Sequence, residues 1–403
     1  MRKLILSFAL AGLVSVSFAQ KKVAKSAEKN FKKGELTTAL DEINEALQDP
    51  ETKDDPSNYL LKGKIQTKMF ESGEVEDMST VDVGRDAFET FNSTMKMVDN
   101  DESSKVGKEV YKEDIDGMPE NLRPYGIYTL KNVSFRKAID TYEDDNFEMA
   151  YEYFALAADI DPTDTTMNFN AGYLANDLGK SAEAKKFFTR LLKVEEYNKL
   201  NAYYFLIQIA NSEDNDPEEA LRLIGEARKA DPSDKTLAEY EIQLLLQLNK
   251  MDEALTSVVS ALENDPKNPG ILLRYGYLLE QSGDLDGALE QYKKSVEADP
   301  KFFEGNNYAG AIYLEKARII INEVGALSDE EWEKKSDAMN KEAENLYKEA
   351  VPYFTRASEI QPESTDILQI LFQIHERLGN EAEKEKYNQK LIKLLGEDWL
   401  DEG

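Results

Sequence analysis

Small residues recur down this chain at the spacing of one helical hairpin. Ala150, Ala184, Ala220, Ala254 and Ala288 stand 34, 36, 34 and 34 residues apart, and Ala350 follows after a step of 62. Four residues after each comes a large apolar residue: Phe154, Phe188, Ile224, Val258, Tyr292 and Phe354. Three further on stands Ala157, Leu191, Ala227, Ala261, Ser295 or Ala357. Offsets of four and seven put all three on one helical face. Most of these segments close on Pro, usually as Asp-Pro (DLDGALEQYKKSVEADP, Asp284–Pro300). Proline cannot continue a helix and biases the preceding residue out of the helical region.

A period of 34 marks a helix–turn–helix repeat. The small residue sits where the second helix crosses the first, because bulk there would push the two axes apart. The first helices carry close-contact residues of their own, Ala138, Gly172, Gly276 and Gly310. Leu178-Gly179 and Ser282-Gly283 supply the turns between paired helices.

These motifs resemble the tetratricopeptide repeat. Gly276, Gly283, Ala288, Tyr292 and Pro300 form a nearly complete copy, and Gly172, Leu178-Gly179, Ala184 and Phe188 a second. The resemblance covers residues 131–395. Weaker copies precede it at Asn30–Pro50, with Gly34, Ala39, Ile43 and Ala46, and at Leu60–Phe91. It implies an all-α fold, a right-handed superhelical solenoid of paired helices, with a concave face that binds peptide segments. The first helix of each repeat lines that face. On this sequence the rule points Phe135, Phe169, Tyr173, Phe205, Glu239, Gln243, Tyr277 and Asn307 toward a groove, with Gln369 and Gln373 further along. The basic and Asn residues with which some members clamp a C-terminal carboxylate are not present as a set. An aromatic, acidic groove suits an extended or helical segment with apolar anchors and basic flanks. Aromatics at helical spacing are more often buried packing, and both readings of these positions stay open.

Two stretches depart from the repeat. Residues 101–130 fit no copy, with loop signals at Asp99–Ser104 and Pro119–Pro124. The step of 62 holds one repeat and 28 further residues, and these are helix-like. Ser328 with Glu331 three later makes a capping box between two long runs. The reading is one elongated helical hairpin. An even division of the extra residues would project it about 20 Å, with Pro352 kinking the returning helix. In the last unit Lys384 stands where Ala is expected, which suits a terminal capping repeat with an open outer face.

MRKLILSFALAGLVSVSFAQ opens the chain with two cations, an apolar run too short to span a bilayer, and a small-x-small site. This predicts a signal peptide removed near Ala19 and an exported, most simply periplasmic, protein with no integral span. There is no Cys, hence no disulfide, thiol catalysis or lipid-anchoring Cys. Loss of residues 1–19 would leave a net charge of −32, which repels nucleic acid. The first helix region, KKVAKSAEKNFKK (Lys21–Lys33), is locally basic. It reads as a solvated face or as a surface for an acidic partner.

The chemistry-bearing residues are few. His375 is the only His, and it falls within an apolar-periodic helix, the setting of a structural residue. EDIDG (Glu113–Gly117) fails the calcium-loop pattern, with Lys112 and Arg123 at ligand positions. The acids of SEDNDPEE (Ser212–Glu219) read as a helix start. The expectation is no catalytic, cofactor or metal site. The divisions are a signal peptide (1–19), N-terminal helix pairs (20–100), a connector (101–130), a regular array (131–302), the elongated hairpin (303–362), and a capping repeat with its tail (363–403). The role expected is a non-enzymatic scaffold of the bacterial envelope that holds partner polypeptides on the concave face and on the hairpin arm. A solute- or glycan-binding envelope protein is the second reading, weakened by the missing Cys and by the lack of long irregular insertions.

Overall fold

The computed structural model describes residues 22–74, 79–115 and 117–400, and every regular element among them is helical. The expected signal peptide and its cleavage site lie outside these residues. The chain forms two compact units that divide after Asn215.

The first unit holds α1 (22–33), α2 (Leu36–Gln48), α3 (Pro56–Ser72) and α4 (Thr80–Lys96). A short α5 (Lys105–Val110) and a 3-10 turn (Glu120–Leu122) follow. Then come α6 (Ile127–Glu143), α7 (Phe147–Ile160), α8 (Thr165–Asp177), α9 (Ser181–Leu191) and α10 (Leu200–Gln208). The second unit holds α11 (Pro217–Ala230), α12 (Lys235–Gln247), α13 (Met251–Asn264), α14 (Pro269–Gln281) and α15 (Leu285–Ala298). It continues with α16 (Phe303–Gly325), α17 (Asp329–Ile360), α18 (Thr365–Arg377) and α19 (Glu381–Leu395). In each unit consecutive helices pack on one another, an α-solenoid arrangement built hairpin by hairpin.

Local chemistry explains the boundaries. Asp164, Asp234, Asn268 and Asp284 cap their helices by accepting from backbone N–H groups three residues on, at 2.9–3.1 Å. At the Asp-Pro ends, Asp161, Asp265 and Asp299 make the last intrahelical bond before Pro stops the helix. The repeat's small residues are packing sites. Where the first helix of a hairpin carries Gly and the second an aromatic, the ring lies on the glycine, so a Cβ on Gly63 would fall 2.6 Å from Phe91, and one on Gly310 2.7 Å from Phe354. Gly276 lies under Tyr292, and Gly172 under Phe188, in the same way. Ala150, Ala184, Ala220, Ala254, Ala288 and Ala350 are all fully buried.

The one step of 36 residues has a structural counterpart. α10 ends in a π-helical turn, Ile209–Glu213, which takes up surplus residues by widening the helix. Asn215 then adopts a left-handed backbone, φ 52°, at the division between the units.

The long hairpin is not divided evenly. α16 has 23 residues against 13 in α14, whereas α17 has 32 against 14 in α15. The cause is its seam. Buried Gly310, Ala317 and Val324 on α16 stand seven apart, as do Ser336, Ala343 and Ala350 on α17. Seven-residue spacing is the mark of a coiled-coil pair. With Gly310 at the Ala350–Phe354 turn, antiparallel pairing sets Val324 level with Ser336. The first two turns of α17 therefore run past the end of α16, carrying the exposed Trp332. Ser328 caps them, its hydroxyl 3.0 Å from the Glu331 carboxylate. α17 runs through Pro352 without interruption.

The connector folds back onto α3. Lys64, Lys68 and Glu71 line one face of that helix at intervals of four and three, and each takes a charged partner from the connector. Lys64 binds Glu109 at 2.7 Å, Lys68 binds Glu120 at 2.8 Å, and Glu71 binds Arg123 at 2.6 Å. Arg123 also reaches Asp114 at 2.8 Å, and Arg136 of α6 shares Glu71 at 2.9 Å. Paired with both carboxylates, the Arg123 guanidinium holds its proton even more firmly than usual.

Candidate aromatic surface

The eight positions expected to face a groove fall four to each unit. In the first unit three of them, Phe169, Tyr173 and Phe205, come together. Phe205 of α10 lies face to face on Phe188 of α9, with ring centres 4.6 Å apart and planes 3° from parallel. Phe169 of α8 meets both rings edge-on, at 6.2 Å from Phe188 and 6.1 Å from Phe205. Tyr173, one turn further along α8, packs edge-on against Phe205 at 6.1 Å. Phe188 is fully buried, Phe169 and Phe205 are half-buried, and Tyr173 remains 42% exposed. The core and surface readings thus each hold for part of the cluster. Its inner rings are packing, and its outer edge is accessible aromatic surface.

Phe135 of α6 sits one repeat earlier, tilted against buried Phe154 at 6.2 Å. It borders a depression of about 450 Å³ with Glu71, Arg136, Lys137 and Asp140. Burial lowers the Lys137 ammonium below its ordinary value. Tyr142 was missed by the sequence reading. It lies two turns from Phe135 on the same helical face, is 44% exposed, and packs edge-on against Phe147 at 5.3 Å. The offset of seven was the signal that could have found it. Asp140 and Asp177 are exposed on the same helices and form no ion pair among the described residues. They supply negative charge beside the rings.

In the second unit the four positions are mostly polar and do not gather into a cluster. Glu239 accepts a hydrogen bond from Asn268 at 2.9 Å, and Asn268 in turn caps α14. Its carboxylate is thereby engaged in joining neighbouring hairpins. Gln243 is exposed, and Tyr277 and Asn307 are half-buried. Beneath them the Tyr292 hydroxyl donates to Glu280 at 2.8 Å. Burial, with that carboxylate, holds the phenol well above its usual pKa.

Among the described residues, no group of three or more His, Asp or Glu is placed to hold a metal ion. None of their helices is long and apolar enough to cross a membrane. His375 lies buried in α18, stacked on Tyr387 of α19 with centroids 5.6 Å apart.

Residues 136–304 match a tetratricopeptide repeat family model. Among solved structures the chain is similar to YrrB, described as a tetratricopeptide repeat protein with an unusual peptide-binding site. Identity there is 20%, over 43% of this chain and 88% of that one, with a TM-score of 0.35. It is similar also to the C-terminal part of a repeat-containing protein from Cytophaga hutchinsonii, at 14% identity over 65% of this chain and 95% of that one, TM-score 0.47. A tetratricopeptide repeat protein from Bacteroides fragilis aligns at 20% identity over 61% and 98%, TM-score 0.32. A comparison with curated proteins found no match.

Proposed function

We propose that this tetratricopeptide-repeat protein is an exported, non-enzymatic scaffold of the bacterial envelope. It captures partner polypeptides on the aromatic surface of its first unit. The observation that carries the reading is Tyr173, left 42% exposed on a shelf of packed rings. Such an edge offers large, rigid apolar contact at little entropic cost, which is the character of binding hot spots. Asp177, one turn beyond Tyr173 on α8, and Asp140, in the depression bordered by Phe135, favour a segment with apolar anchors and basic flanks. The charged opening residues, the apolar run and the small residues around Ala19 support export.

The test replaces Tyr173 with a photo-crosslinking phenylalanine analogue in cells and identifies the attached protein. A defined partner whose binding to the purified protein, measured by titration, is lost with Tyr142→Ala plus Tyr173→Ala while circular dichroism stays unchanged supports the reading. Partner binding that survives both substitutions sinks it. Sequencing the mature N-terminus tests export separately, with Gln20 as the expected first residue.

A further inference from the structure

The side of α17 that packs on α16 carries a large side chain every seven residues: Tyr353, Leu346, Met339 and Trp332. α16 answers at the same interval with Tyr313, Ile320 and, just past its end, Leu327. The rings of Tyr313 and Tyr353 lie 5.9 Å apart, and Ile320 and Leu346 border one depression. Seven residues further out, the same register brings Leu327 to Met339. Trp332 is the fourth member of its series, and the chain has turned before a fourth counterpart could form. Its indole is 52% exposed, whereas Met339 and Leu346 are half-buried.

The stretch of α17 without a helix beside it is Asp329–Lys335, which ends where the seam begins at Ser336. Only the link Ala326–Ser328 lies beyond α16, too short to cover it. Trp332 is the midpoint of that stretch. Asp329 and Lys335 stand three residues to either side of it, on the same helical face. A half-turn about Trp332 therefore exchanges an acid for a base. Laid antiparallel on a second copy of itself, the segment would set indole on indole and each Asp329 opposite the other copy's Lys335. Such self-complementarity is what a two-fold contact requires. Both charged groups are free to take part. Asp329 is exposed and forms no ion pair among the described residues. Lys335 holds Glu331 at 3.0 Å, an exposed pair of the kind that contributes little.

We infer that the tip of the long hairpin is a self-association site, where two copies of this chain join through antiparallel pairing of their Asp329–Lys335 segments. The contact extends the α16/α17 seam, with the second copy supplying the counterpart of Trp332 that α16 lacks. A membrane surface suits the tip less well, because Glu330, Glu331 and Glu333 around the indole repel anionic headgroups. Two turns from each copy make a contact smaller than the roughly 1,200 Å² at which standard interfaces begin, so the dimer parts on dilution. The site lies on the second unit and does not depend on the function proposed for the aromatic surface of the first.

The test is sedimentation equilibrium of the purified protein from 1 to 500 µM, with circular dichroism as the check on folding. A monomer–dimer equilibrium is expected, and Trp332→Ala should weaken it at least tenfold. Asp329→Lys sets two bases against each other across the axis, and Lys335→Asp sets two acids, so each variant alone should also dimerise at least tenfold more weakly. Mixed in equal amounts, the two variants should pair as well as the unaltered protein, because every base then meets an acid. In a Trp399→Phe background Trp332 is the remaining indole, and its emission should move to shorter wavelength as concentration rises. A chain that stays monomeric over this range overturns the inference, including one whose tip binds anionic vesicles or another protein instead. So does a dimer indifferent to Trp332→Ala, a mixture no stronger than its components, or an emission that ignores concentration.

Discussion

The inner helices of the two units use one scaffold for two surface chemistries. In the first unit a groove-facing residue is backed by an aromatic one repeat-helix behind it, as Phe205 is by Phe188 and Phe135 by Phe154. In the second, at the hairpin of α12 and α13, Val258 stands at the position of Phe188, and Glu239 is turned to a neighbouring cap, whereas one hairpin on Tyr292 holds that position and carries Tyr308 outside it at 5.4 Å. The residue at the centre of the hairpin thus governs what its inner face can offer. A large ring fills the space under the glycine and still supports further rings outside it. A valine fills the core alone, and the surface above reverts to polar contacts.

This contrast can be broken most severely at its base. Phe188→Ala should cost about 3–5 kcal/mol locally, because both Phe169 and Phe205 lose their support. Val258→Ala should cost roughly 2 kcal/mol. Hydrogen exchange over α8–α10 and over α12–α14 measures each locally, and equal losses would erase the distinction. Next in size is binding. Tyr173→Ala should weaken the crosslinked partner at least 30-fold, in the range of a hot-spot truncation of about 2 kcal/mol or more. Gln243→Ala should change it less than threefold, and isothermal titration against that partner decides. Glu239→Ala should destabilise the second unit by about 1 kcal/mol through the stranded Asn268 amide, with no effect on partner affinity.

The smallest effect is pH dependence in the second unit. Burial holds the His375 imidazole below its ordinary value of 6.5, against the opposing pull of Glu383, while Lys386 adds to the depression. The folded state therefore binds this proton less readily than the unfolded one. The stabilisation of the neutral form is complete above 6.5 and is lost as pH falls below it. The C-terminal hairpin should loosen slightly between pH 7 and 5. Trp399, packed edge-on against Phe372 at 5.2 Å, reports it by fluorescence. A His375→Leu variant that keeps the whole pH response would remove His375 from the account.

How much of this was legible depends on how far each signal travels along the chain. The pairing of Gly276 with Tyr292 spans 16 residues and repeats, so periodicity exposed it. The elongated hairpin was equally plain, although its uneven division rests on a seam of Gly310, Ala317 and Val324 that only burial brings out. The connector was opaque. Its attachments, Lys64 to Glu109 and Glu71 to Arg123, span 45 and 52 residues and occur once. Tyr173 and Phe205 were singled out by laying the repeat family's first helix on the sequence, as the resemblance implies. That placement could not tell that Phe205 has one face committed to Phe188, or that Glu239 is committed to a residue 29 positions away.

The seven-residue seam of the long hairpin makes its reach a quantised quantity. Excising one seven-residue block from each helix would bring the tip about 10 Å closer to the array and keep Trp332 pointing in nearly the same direction. Any other number would swing that indole around the axis by about 100° for each residue out of step. Selection or engineering can therefore vary how far the tip extends in whole blocks, independently of which way it looks.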